Sequence, residues 1–140
     1  MFTSTVTLTV TADDRVMVYD GGRLVFGNGN WMFAQTVTLT SSPCLLAVAA
    51  ENYRLGEGIL AETSTGVVTD TSWKCSAVEE AGWYLPSFDD SDWSNAKITG
   101  TNDVSNQWQR AIAGISAQAK WIWADVTSTV GFTYCRRRIC

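Results

Sequence analysis

The chain has 140 residues, of which 46% are hydrophobic and 17% charged, and its formal net charge is −4. That length suits one domain with a real core, so residues 1–140 are read as a single folded unit. An acidic chain whose one cluster of cations is Arg136, Arg137 and Arg138 does not suit nucleic acid, and its longest apolar run, residues 44–50, is too short for a membrane span.

Residues 3–11 read TSTVTLTVT, with Val6, Leu8 and Val10 alternating with threonines. Period-two alternation of β-branched residues predicts a half-buried strand. Residues 15–20 (RVMVYD) and 23–26 (RLVF) flank Gly21-Gly22, the pattern of a hairpin. Gly27-Asn28-Gly29-Asn30 marks a second turn, and residues 31–40 form a long strand candidate that Ser41-Ser42-Pro43 breaks. Residues 44–50 (CLLAVAA) are apolar throughout, as in a central strand buried on both faces. Gly56 and Gly58 bracket a bend, and extended structure resumes at residues 59–62.

The second half is less regular. Trp73, Trp83 and Trp93 sit among polar residues and turn formers. Residues 87–93 (SFDDSDW) read as a loop ending in one helical turn capped by Asp89 or Asp90. Residues 111–119 suit either a short helix or a loop. Residues 121–123 and 132–139 are the last two strands. In a strand, Trp121 and Trp123 share one face, and so do Arg136 and Arg138. No stretch carries a helical period over twelve or more residues. About eight short strands separated by turn signals predict an all-β sandwich or jelly roll.

The cysteines are Cys44, Cys75, Cys135 and Cys140. None lies in a C-x-x-C pair, and the chain has no histidine. Scattered spacings without histidine argue against a zinc centre and for two disulfides, which implies an oxidising compartment and a secreted protein. All three pairings stay open. The N-terminus lacks the pattern of a signal peptide, as expected of a mature form or an excised domain.

Several motifs carry a resemblance. They are Asp70-x-x-Trp73-Lys74, Gly82-Trp83, Phe88-Asp89-Asp90-Ser91-x-Trp93-x-x-Ala96, Ala119-Lys120-Trp121-Ile122-Trp123 and Tyr134-Cys135-Arg136. Together they resemble the galactose-binding-like jelly-roll superfamily, including sandwich modules attached to rhamnosidases and other glycoside hydrolases. In the first half, Thr11-Ala12-Asp13-Asp14 followed by Val18-Tyr19-Asp20-Gly21-Gly22 resembles PA14-type yeast adhesins. The resemblance implies that Trp73, Trp93, Trp121 and Trp123 are core residues and that the aspartates of residues 89–92 belong to a fold signature. It also implies that Asp13 and Asp14 hold a calcium ion that touches sugar hydroxyls. Calcium takes six to eight oxygen ligands, and two adjacent carboxylates supply both charge and oxygen. Asn52, Glu51 or Asn30 could add to that set. Read without the resemblance, Ala-Asp-Asp-Arg is a turn between two strands.

The remaining ligand candidates are exposed aromatics that could stack on a pyranose, and arginines that could donate to paired hydroxyls. Trp31, Trp108, Tyr53 and Arg54 fit that description. Catalysis has little support, because there is no histidine for a nucleophilic triad and nothing brings two of Glu51, Glu57, Glu62, Glu79 and Glu80 face to face. Glu79-Glu80 reads as a solvated face. The expected function is therefore carbohydrate binding by a secreted, lectin-like, non-enzymatic module whose partner is a glycan or glycoprotein, with oligomer formation left open. Its ligand would sit on the Asp13 turn, the turn at residues 27–31 and the loop at residues 53–58. The alternatives are a structural or adhesive matrix protein and a non-catalytic accessory domain of a larger enzyme.

Overall fold

The computed structural model describes residues 5–28, 32–39, 44–54, 56–127 and 130–140. Among these residues there are eleven strands and no helix, so nothing in them could cross a membrane as a helix. One antiparallel sheet has the order β4 (Gln35–Thr38), β1 (Thr7–Asp13), β6 (Gly58–Thr63), β10 (Lys120–Trp123), β9 (Lys97–Thr101). The other runs β3 (Arg23–Asn28), β2 (Arg15–Asp20), β5 (Leu45–Asn52), β11 (Gly131–Arg138), β7 (Lys74–Ser76), β8 (Ser94–Asn95). The expected all-β sandwich is the fold.

The alternating positions explain why the sheets meet. Leu8, Val10 and Ala12 of β1 join Ile59 and Ala61 of β6 on one inner face. Val16 and Val18 of β2 and Leu46, Val48 and Ala50 of β5 supply the other, and all ten side chains lie in one buried cluster. The Gly21-Gly22 hairpin forms as its sequence predicts. Both glycines have positive φ, 58° and 97°, and Asp20 faces Arg23 across the turn.

β5 is buried on both faces because a loop covers the outside of its sheet. Ala47 and Ala49 lie beneath Trp83 and Trp93, beside Tyr134 of β11. Arg136, itself 1% exposed, ties that loop down. Its Nη1 donates to the Trp83 carbonyl at 3.2 Å, its Nη2 donates to that of Phe88 at 3.3 Å, and its Nε lies 3.2 Å from Asp90 Oδ2. A guanidinium can be buried only when its charge is matched, which Asp90 does here.

The outer face of the five-stranded sheet has a similar cover. Leu60 and Trp121 pack under Ile112, Ile115 and Ala119 from the stretch between β9 and β10. The stretch at residues 111–119 is a loop, and buried Asn102 holds it. Asn102 Nδ2 donates to the Ile115 carbonyl at 2.8 Å, and the Ile112 amide donates to Asn102 Oδ1 at 2.7 Å.

Three expectations need correction. The strand expected over residues 31–40 is paired only at Gln35–Thr38, and residues 31 and 40 lie outside the described residues. The second half holds β7, β8 and β9 besides the two strands expected there, because these short strands have no clear alternation in sequence. Trp121 and Trp123 do not pack together: Trp121 lies in the outer cluster, whereas Trp123, at the end of β10, joins the inner one with Ile122. Trp73, Trp93, Trp121 and Trp123 are all buried, as expected.

The disulfides are Cys75–Cys135, joining registered positions of β7 and β11, and Cys44–Cys140, closing the two chain segments beside them. They span 60 and 96 residues. Loops of that length give a stabilisation of about 4 kcal/mol each by the chain-entropy argument.

Candidate functional site

The chain crosses from one sheet to the other at Asp13 and Asp14. β1 ends at Asp13, β2 begins at Arg15, and the peptide between the two aspartates is cis. Arg15 faces Glu51 and Asp13 faces Gly58, so this corner meets both the end of β5 and the start of β6.

Hydrogen bonds fix the two carboxylates. The Tyr53 amide donates to Asp14 Oδ2 at 2.7 Å, while the Asp14 amide donates to the Glu51 carbonyl at 2.7 Å. The indole Nε1–H of Trp108, 95 residues away, donates to Asp13 Oδ2 at 2.8 Å. The Asp14 carboxyl lies within hydrogen-bonding reach of that of Asp13. Asp13 is 5% exposed. Burial first, and then the Asp14 carboxyl beside it, raise its pKa to about 7. Trp108 opposes that rise by stabilising the charged form, and Glu57 adds a smaller upward push.

Two glycines make the close approach of Trp108 to Asp13 sterically feasible. Gly56 has φ +93°, and a Cβ there would lie 3.0 Å from Asp13 Oδ2 and 3.2 Å from Trp108 Nε1. At Gly58 a Cβ would lie 2.6 Å from Trp121 Cε3 and 3.0 Å from Trp108 Cη2. The inner face of Trp108 rests on Trp121, with ring centroids 4.1 Å apart. Its backbone is held by buried Asn106, whose Oδ1 accepts the Trp108 amide at 3.0 Å and whose Nδ2 donates to the carbonyls of Thr101 and Arg110.

The structure therefore brings Asp13, Asp14, Asn52 and Tyr53 to one corner. Asn52 is 1% exposed and its Oδ1 accepts the Arg54 amide at 3.3 Å. Tyr53 is 52% exposed and borders the carboxylates. The Arg54 side chain is exposed and contacts neither aspartate; only its backbone takes part. Glu51 is drawn aside by Arg15, 3.6 Å away. Trp31 and Asn30 lie outside the described residues. The strand leading to them ends at the same corner, since Gly27 and Asn28 face Met17 and Val16. Asp89 and Asp90 are elsewhere: Asp89 Oδ1 accepts the Ser91 amide at 3.0 Å, and Asp90 pairs with Arg136. Glu57, Gly56 and the link from Trp108 to Asp13 were not anticipated from the sequence. Among the described residues no three His, Cys, Asp or Glu side chains gather around one point.

No family model matches the chain, and no curated protein matches it. Two solved structures of a lectin from Pleurotus ostreatus are similar to it. The apo form is 26% identical with a TM-score of 0.62, covering 77% of this chain and 35% of that one. The complex of that lectin with GalNAc is 27% identical with a TM-score of 0.60, covering 77% of this chain and 36% of that one. The chain thus spans about a third of the length of a lectin whose β-sandwich it shares.

Proposed function

We propose that this chain is a non-catalytic, lectin-like extracellular module that binds carbohydrate at the Asp13–Asp14 corner with the help of calcium. The observation that carries the reading is the pair of adjoining carboxylates, each fixed by a donated N–H, at the loop end of the sandwich. Burial is the main reason Asp13 resists ionisation, and the neighbouring Asp14 carboxyl, which repels it when both are charged, adds to that resistance. A divalent cation removes that repulsion, and its preference for hard oxygen donors matches the chemistry present. Calcium would supply charge and open coordination positions for two neighbouring sugar hydroxyls.

The protein's own part is positional. Asp13 and Asp14 would hold the cation, and the Asn52 amide at the same corner could add an oxygen donor. Trp108 and the Tyr53 amide keep the carboxylates oriented, and exposed Tyr53 offers an aromatic edge to the ligand. Only two carboxylates adjoin, so most of the shell is left to amide, carbonyl, water and sugar oxygens. That composition suits an ion that also serves as a ligand contact. The lectin complex with GalNAc supports a saccharide of the galactose class as the first ligand to try. The two disulfides suit an oxidising, extracellular setting.

The test is binding to immobilised GalNAc and galactose glycans with calcium and with EDTA. Binding that EDTA abolishes, calcium restores and Asp14→Ala eliminates is the expected result. Glycan binding unchanged by EDTA would remove calcium from the reading. No binding to any glycan with calcium present would overturn the function.

A further inference from the structure

A recess of about 210 Å³ is lined by Ser72, Lys74, Asp90, Arg136, Arg137 and Arg138. It lies toward the far end of the sandwich from the aspartate corner. Arg136 faces Ala47 in the register where Gly131 faces Asn52, five residues along β11, or about 17 Å at the rise of a strand. Four of the chain's ten Lys and Arg residues line it, in a protein of net charge −4.

Most of those charges are not balanced. Arg136 is matched by Asp90 at 3.2 Å and by backbone carbonyls. Lys74, Arg137 and Arg138 have no carboxylate within ion-pair distance among the described residues. Asp89 is influenced by Lys74, but that is the smallest of the causes acting on it; its hydrogen bonds with Ser91 dominate. Like charges held together without partners oppose folding. The framework here imposes that closeness. Lys74 and Arg136 are registered neighbours beside the Cys75–Cys135 disulfide. Arg137 Nε donates to Ser72 Oγ at 2.9 Å, and Arg138 Nη2 donates to the Pro86 carbonyl at 2.9 Å.

The fixed cations keep donors in hand. Arg137 also donates through Nη1 to the Arg138 carbonyl, which leaves its Nη2. Arg138 retains Nε and Nη1, and Lys74 Nζ has no hydrogen-bond partner among the described residues. These donors come from two neighbouring strands, and Lys74, Arg137 and Arg138 all line the one recess. A flat carboxylate presents two oxygens in one plane. A tetrahedral oxyanion presents them in several directions and suits this arrangement better.

We infer that this recess is a binding site for a tetrahedral oxyanion, the sulfate or phosphate group of an ester, distinct from the aspartate corner. Lys74, Arg137 and Arg138 supply the charge, and Arg136 with Asp90 forms the wall that keeps them in place. The site does not depend on calcium or on the carbohydrate reading.

The experiment is a backbone and arginine side-chain NMR titration in EDTA, which leaves the aspartate corner without divalent cation. Sodium sulfate, sodium phosphate and sodium acetate are compared with sodium chloride at matched ionic strength. Saturable shifts confined to Ser72, Lys74 and residues 136–138 are expected with sulfate or phosphate, and much weaker ones with acetate. Galactose 6-sulfate and glucose 6-phosphate then distinguish the two ester sources. Lys74→Ala with Arg137→Ala should raise the half-saturating concentration at least about tenfold, the worth of one charge-assisted hydrogen bond. Shifts that track ionic strength alike in sulfate and chloride would overturn the site, as would acetate binding as tightly as sulfate or a double variant that binds like wild type. If that variant does not fold, the wild-type titration decides alone.

Discussion

The bond from Trp108 Nε1 to Asp13 Oδ2 can be tested by Trp108→Phe, which keeps an aromatic ring and deletes the donor. A hydrogen bond to a charged group contributes about 1.5–3 kcal/mol, and about 1.4 kcal/mol moves a pKa by one. Trp108 is the one influence holding Asp13 down against burial, Asp14 and Glu57, which together leave it at about 7. Its removal should therefore lift the carboxyl to about 8 or 9. At pH 7 the wild-type carboxyl is half protonated, so proton competition costs about a factor of two in calcium affinity. In the variant that factor becomes about ten to a hundred, a net loss of roughly five- to fiftyfold. At pH 9 most of the loss should disappear, because the proton then costs the variant at most about a factor of two. Calorimetric calcium titrations of both proteins at pH 7 and pH 9 measure it. A deficit that persists undiminished at pH 9 would refute the electrostatic argument and leave Trp108 acting through packing alone.

Without calcium, Asp13 makes stability depend on pH. Its pKa is raised on folding, so its stabilising contribution is complete below the unfolded value of 3.8 and is lost as pH rises through about 7. The Tm in EDTA should fall by about 5–10 °C between pH 5 and pH 8, from roughly 2–3 kcal/mol at about 2–4 °C per kcal/mol for a chain of this size. Excess calcium should flatten or reverse that slope; a Tm in EDTA that rises over this interval would contradict the assignment. Gly58→Ala places a methyl 2.6 Å from Trp121 and 3.0 Å from Trp108, so urea denaturation should register a loss of about 1–3 kcal/mol, together with weaker calcium binding. Arg136→Met keeps much of the volume but orphans Asp90 and the carbonyls of Trp83 and Phe88, and should cost about 3 kcal/mol in the same assay.

The parts of the fold that were legible are those where local pattern and burial agree. In β1, alternating residues really do face opposite environments, with Leu8, Val10 and Ala12 inward. β5 reads as wholly apolar because a loop covers its second face, and the sequence registers that cover without saying what provides it. β9 was invisible for the converse reason: in Lys97–Thr101 the one large apolar residue, Ile98, is 44% exposed. Trp83 and Trp93 sit in polar stretches yet are buried, because those stretches are lids, turned by backbone hydrogen bonds and closed by Arg136. Trp123 leaves the cluster that strict alternation would share with Trp121, and nothing in Lys-Trp-Ile-Trp announces it.

At the aspartate corner the division is sharper. Asp13 and Asp14 stand out as a pair of carboxylates between two strand patterns, and the join to Asn52 and Tyr53 follows once β2 is laid antiparallel to β5, since Arg15 then faces Glu51. What sequence order cannot supply is the third element. Trp108 arrives from a loop with no periodic pattern, held by the amide of Asn106, and reaches Asp13 only because residues 56 and 58 lack side chains. Seen in the sequence, those glycines mark a bend; in the fold, they clear a path for an indole. The properties that would make the corner a cation site, buried charge and oriented oxygens, thus depend on a contact between segments 95 residues apart. The carboxylates themselves are local, but their electrostatic character is a product of the tertiary structure. For this reason the pH dependence of Trp108→Phe separates an aspartate pair that merely turns the chain from one tuned to hold an ion.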